Sequence, residues 1–157
     1  MSTMKVCLKI SGFLAALVLY GCLFPVMWSN PGYMVSIDVQ EISKKDGHSV
    51  EAVIKAQNYI TTGERFTNIR CVWYKKTIIT DKLIEKPYVK TAVCFNEESD
   101  SDMAKDFSIL IMNEWQGQYP QLKQEIDSIA DILIAELKKL VGEENIKVER
   151  KATGPPF

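Results

Sequence analysis

The residues best equipped for chemistry in this sequence are few and widely spaced. Cys71 and Cys94 lie in two apolar segments that read as consecutive strands. In an oxidising compartment two such thiols pair. Pairing them sets a register in which Trp73 faces Ala92 and Lys75 faces Lys90, and the two lysines oppose it mildly. The bridge contributes about 3 kcal/mol on the chain-entropy model; the alternative is a pair of buried free thiols. Neither cysteine belongs to a C-x-x-C motif, so redox catalysis is not indicated. His48 is the single histidine, which excludes any mechanism needing two imidazoles in one chain. Its neighbour Ser49 points to the opposite side of a strand, so the two make a poor catalytic couple. Glu97, Glu98, Asp100, Asp102 and Asp106 are oxygen ligands of the kind calcium takes, but they lack the glycine and terminal glutamate of a calcium loop. They read as a solvated acidic loop. Glu114, Trp115 and Tyr119, with Gln116 and Gln118 between them, form a mixed aromatic and polar corner. Such a corner stacks a sugar or a peptide side chain, or simply plugs the gap between a strand and a helix. No G-x-S-x-G, H-E-x-x-H or phosphate-loop motif occurs, and nothing implies a cofactor or a metal.

A further position of interest is Cys22. Residues 1–9 carry Lys5 and Lys9 and no acid, and residues 10–28 carry no charge. This order is that of an export leader. Leu19-Tyr20-Gly21-Cys22 resembles a lipobox, in which a small residue precedes a cysteine whose thiol is lipidated before cleavage. Tyr20 is bulkier than that pattern prefers. The segments are then 1–21 as a lipoprotein signal, 22–32 as a tether, 33–151 as one globular domain and 152–157 as a loose tail. Two other readings stand beside this one. Residues 10–28 are long enough to span hydrocarbon as an uncleaved anchor, with the lysines on the cytoplasmic side. An ordinary secretory leader is the third, although no A-x-A-like site follows. All three place the domain outside the cytoplasm, at the periplasmic or extracellular side of a membrane, with membrane lipid as the first partner.

These positions need a scaffold. About 125 residues follow the leader, enough for one modest core. Without Lys5 and Lys9 the domain has a small acidic excess, which argues against a nucleic-acid partner. Val35, Ile37 and Val39 alternate with Ser36, Asp38 and Gln40, which predicts a half-buried strand. Asp46-Gly47 is a hairpin signal, and Val50, Ala52, Ile54 and Ala56 alternate after it, so 50–60 is assigned to the returning strand, although its Ala, Glu, Lys and Gln also suit a helix. Residues 61–68 read as a loop. Strands are expected over 69–79, over 88–96 and from Phe107 to Trp115, with a last edge strand at 145–151. Leu122, Ile126, Ile129, Leu133, Leu137 and Leu140 recur at helical spacing between Pro120 and Gly142, which marks one long helix.

The expected fold class is α+β: an antiparallel sheet of five or six strands packed on one long C-terminal amphipathic helix, after an N-terminal signal or anchor. A single helix leaves one sheet face uncovered, and Val72, Tyr74, Val93 and Phe95 are expected to contribute to an exposed apolar surface there. Absent motifs and a single histidine argue against an enzyme. The function that fits is an exported, membrane-anchored accessory or binding protein, a small lipoprotein subunit of a cell-envelope complex with a protein partner docked on a sheet edge or on the uncovered face. The alternatives are a small-ligand or sensor domain using the gap near Trp115 and Tyr119, and an inhibitor or immunity-type protein.

Overall fold

A computed structural model describes residues 32–66, 69–78, 87–96, 101–113 and 120–153. Strand β1 (Gly32–Ser43) leads into helix α1 (Lys44–Ala56), followed by strands β2 (Ile60–Phe66), β3 (Arg70–Thr77), β4 (Tyr88–Phe95) and β5 (Met103–Asn113). Helix α2 (Pro120–Val141), a short 3-10 turn (Glu143–Asn145) and strand β6 (Ile146–Thr153) follow. The six strands form one antiparallel sheet in the order β2-β3-β4-β5-β1-β6. The α+β class and the six-stranded antiparallel sheet are as the sequence indicates.

Three local expectations are corrected. Residues 44–56 form a helix, not a hairpin and returning strand. Ser43 caps it, accepting from the Asp46 amide at 3.0 Å, and Asp46 sits in the first turn where the helix dipole favours a carboxylate. Gly47, Val50, Glu51 and Ile54 then share the buried side at helical spacing. Gly47 serves close approach: a Cβ there would lie 3.4 Å from Phe107 and 3.7 Å from Phe95. Helix α1 ends where Asn58 takes a positive φ of 64°, which asparagine tolerates. Second, residues 61–66 of the stretch read as a loop form most of β2, where Ile60 and Thr61 pair with Lys75 and Tyr74 of β3, Thr62 bulges, and pairing resumes at Gly63. Third, Val72, Tyr74, Val93 and Phe95 are buried, at 3 % exposure or less. The second helix is the reason: α1 and α2 together cover that face.

Helix α2 behaves as its sequence pattern requires. Leu122, Ile126, Ile129, Leu133 and Leu137 are buried, Pro120 opens it, and Gly142 closes it at φ 85°. Its stripe meets Val35, Ile37, Val39, Phe107, Ile109 and Ile111 in one continuous core. Burial of that apolar area is the main stabilising term, at roughly 25 cal/mol per Å².

Strands β1 and β5 change phase together. Val35, Ile37 and Val39 face the helices, and so does Ile42, three residues on; in β5 Phe107, Ile109 and Ile111 are buried, and so is Ala104. The pairing persists from Val39↔Phe107 to Ile42↔Ala104, so both strands bend at one place. Asp106 sits in that bend with φ 55°, a left-handed conformation that costs about 1–2 kcal/mol for a residue with a Cβ.

Candidate functional site

The covered face is closed by polar clamps at its margins. Glu51 of α1, only 5 % exposed, accepts two hydrogen bonds from the Arg70 guanidinium and one from the Tyr74 hydroxyl at 2.7 Å. Arg70 also reaches Glu64 at 2.6 Å, and His48 Nδ1 lies 3.6 Å from Glu51. Burial alone would raise the Glu51 carboxyl; hydrogen bonds from Arg70 and Tyr74 and the positive charge of Arg70 outweigh it and hold the group below the usual carboxylate range. Burial and the adjacent carboxylate push the Tyr74 hydroxyl up, so it stays a donor. At the other margin Asp127 of α2 receives the Tyr33 hydroxyl at 2.7 Å, Lys123 at 2.6 Å and Arg150, which also reaches Asp131. Lys76 and the Tyr59 hydroxyl both meet Glu125, at 2.8 and 3.2 Å. Each carboxylate here is matched by a donor from another element, which is what holding a helix to a sheet demands. The Thr91 hydroxyl, fully buried in this core, has no hydrogen-bond partner among the described residues.

The open face carries the alternate residues of every strand, and the register arranges them in rows, three of which cross all six strands. The middle row runs Glu149–Ser36–Leu110–Ala92–Trp73–Gly63. The row toward the bend runs Lys147–Asp38–Ser108–Cys94–Cys71–Arg65. The row nearest Gly32, where the chain comes in, is described below. The disulfide joins Cys71 to Cys94 across this face in the register expected, with Trp73 opposite Ala92 and Lys75 opposite Lys90. The lysine pair is tolerated because each ammonium turns onto a ring: Lys75 lies 3.8 Å from the Tyr88 centroid and Lys90 lies 4.7 Å from that of Trp73. Pair rules for strands contain no term for such diagonal aromatic partners, and Tyr88 and Trp73 were the sequence signal for them.

At the far end of the open face the shared bend of β1 and β5 leaves an open groove of about 640 Å³. Asp38, Asp106 and Glu144 give it carboxylates, Lys147 an ammonium, and Ile69, 43 % exposed, an apolar lip. Sequence reading missed this groove, because it depends on two strands changing phase in step. The spacing of Val39 to Ile42 and Ala104 to Phe107 is the signal that marks it.

Cys22, the candidate lipid attachment, and Glu114, Trp115 and Tyr119, the candidate contact corner, lie outside the described residues, as do Glu97, Glu98 and Asp100 of the acidic run. Asp102 accepts a backbone hydrogen bond from Lys44 at 2.8 Å, and Asp106 lies within β5 rather than in a loop. Among the described residues no three His, Cys, Asp or Glu side chains are grouped to hold a metal ion, and no helix is long and apolar enough to cross a membrane. His48 sits on α1 against the edge of Phe95, 5.6 Å between centroids, not in a turn. The chain matches no protein-family model and no curated protein.

Proposed function

We propose that the chain is an exported, membrane-anchored binding protein that acts as an accessory subunit of a cell-envelope assembly. The observation that carries this reading is the Cys71–Cys94 bridge, since a disulfide between adjacent strands of a small domain belongs to an oxidising compartment. The lysine-then-apolar order of residues 1–28 and the lipobox-like Leu19–Cys22 agree with it. Attachment at Cys22, or a span over residues 10–28, keeps the domain at the membrane, where a raised local concentration makes a modest interface sufficient.

The partner surface is the groove at the bend together with its flanking β6 edge. A groove holding three carboxylates, one ammonium and an apolar lip suits a polypeptide segment with basic and apolar side chains. The strain at Asp106 is of the kind that is retained at binding sites. The test is affinity purification of the full chain from detergent-solubilised membranes, beside Ser108→Arg in the groove and Lys138→Glu on the exposed side of α2. A protein recovered with the wild type and with Lys138→Glu but lost with Ser108→Arg is the expected result. Equal recovery with the wild type and both variants removes the groove as the interface, and recovery of nothing from membranes removes the accessory role.

A further inference from the structure

The row of the open face nearest Gly32 differs in kind from the other two. Across the six strands it runs Lys151–Met34–Met112–Lys90–Lys75–Ile60. It holds three ammonium groups and three apolar side chains and no carboxylate of its own, whereas the other rows carry Asp38 and Glu149, the latter 3.5 Å from the Lys151 ammonium. Ile60 is 66 % exposed. Tyr88 and Trp73 lie beneath Lys75 and Lys90, so the row pairs aromatic rings with ammonium groups on one surface. Lysine beside Tyr or Trp, with apolar side chains interspersed, is the combination that sits at the boundary between lipid headgroups and hydrocarbon.

We infer that this proximal row docks on an anionic phospholipid surface and sets the orientation of the domain on the membrane. The inference rests on the membrane-anchored reading and adds which part of the domain meets lipid. Its geometry follows from where the chain comes in. Met34 stands two residues after Gly32, the first described residue of β1, and the row lies at that end of the sheet. From a lipid-bearing Cys22, an extended tether to Gly32 reaches at most roughly 35 Å; from the end of an uncleaved span at Trp28 it reaches roughly 14 Å. Either leash lets the proximal row reach the headgroups, and the shorter one cannot bring the groove, roughly 23 Å farther along β1, down to them. Each lysine at an anionic leaflet favours the docked state by about fivefold, and the attraction decays within a Debye length, so it is lost in high salt.

The full chain reconstituted into vesicles provides the test, in phosphatidylcholine alone and with about 30 per cent phosphatidylglycerol added. Flotation reports attachment, and acylation of lysines by a soluble reagent, read residue by residue by mass spectrometry, reports docking. Flotation with both vesicles is expected, with Lys75, Lys90 and Lys151 acylated about fivefold more slowly on the anionic vesicles, Lys138 and Lys139 unchanged, and the difference abolished at about 0.5 M salt. Flotation with both but equal acylation overturns the docking and leaves the anchor standing. Slow acylation of the row on neutral vesicles as well means that a protein surface or a second copy covers it, and also overturns the docking. Flotation only with anionic vesicles, released by salt, supports the docking and overturns the anchor. Flotation with neither overturns both.

Discussion

Along β4 the covered face presents Val89, Thr91, Val93 and Phe95, all fully buried, while the open face presents Lys90, Ala92 and Cys94. The same backbone thus serves two different purposes. On the covered face, side chains are chosen for volume and are sealed by the carboxylate clamps at Glu51, Glu125 and Asp127. On the open face they are chosen for charge and ring chemistry, and the order of the rows matters more than the fit of any one side chain. The contrast teaches where stability and recognition reside. Changes on the covered face should move stability and leave surface behaviour alone, and changes on the open face should do the reverse, the disulfide excepted.

The largest effect tests the covered face. Phe107 is fully buried, against Phe95 and beneath Gly47. Phe107→Ala should cost about 4 kcal/mol in denaturant unfolding, and a loss under about 1 kcal/mol would mean that α1 is not packed there. The exception on the open face comes next. Cys71→Ala with Cys94→Ala opens a loop with a sequence separation of 23 and should cost about 3 kcal/mol, matched by reduction of the wild type.

Glu51→Gln should cost about 2–3 kcal/mol at neutral pH, because it removes the buried carboxylate that the Arg70 guanidinium grips. The effect depends on pH. The folded carboxyl titrates below its ordinary value of 4.5, so its contribution is complete above that pH and is lost as pH falls through the lower folded value. The gap between wild type and Glu51→Gln should therefore narrow in acid, and a gap that stayed constant from pH 7 downward would show that the carboxylate charge plays no part. Thr91→Val replaces an unpartnered buried hydroxyl with a methyl of the same shape and should stabilise by about 1 kcal/mol; destabilisation would reveal a hydrogen bond to that hydroxyl. The smallest effect returns to the open face. Lys90→Gln removes the contact with Trp73 but also the repulsion from Lys75, so unfolding should shift by less than about 0.5 kcal/mol.

The contrast between faces also explains how much was legible in the sequence. Strands β3 and β4 and helix α2 could be read because burial is strong and periodic there, and the β3–β4 register followed once Cys71 was paired with Cys94. Helix α1 was misread because Asp46-Gly47 carries a turn signal in any local reading, while the reason for Gly47 is non-local: it lets the helix approach Phe107. Assigning one helix instead of two then turned Val72, Tyr74, Val93 and Phe95 into a surface. Their alternation identified a face, and only the packing of α1 says which side of that face is filled. The groove was invisible for a related reason, since the bend requires β1 and β5 to shift phase together.

The compartment is the premise on which the disulfide, the lipid row and the partner groove all depend. The most direct measurement is thiol trapping in intact cells with an alkylating reagent, followed by membrane fractionation and mass analysis of the full chain. The expected result is a chain in the membrane fraction with Cys71 and Cys94 unalkylated and joined to each other. A chain in the soluble fraction with both of these thiols alkylated would contradict it.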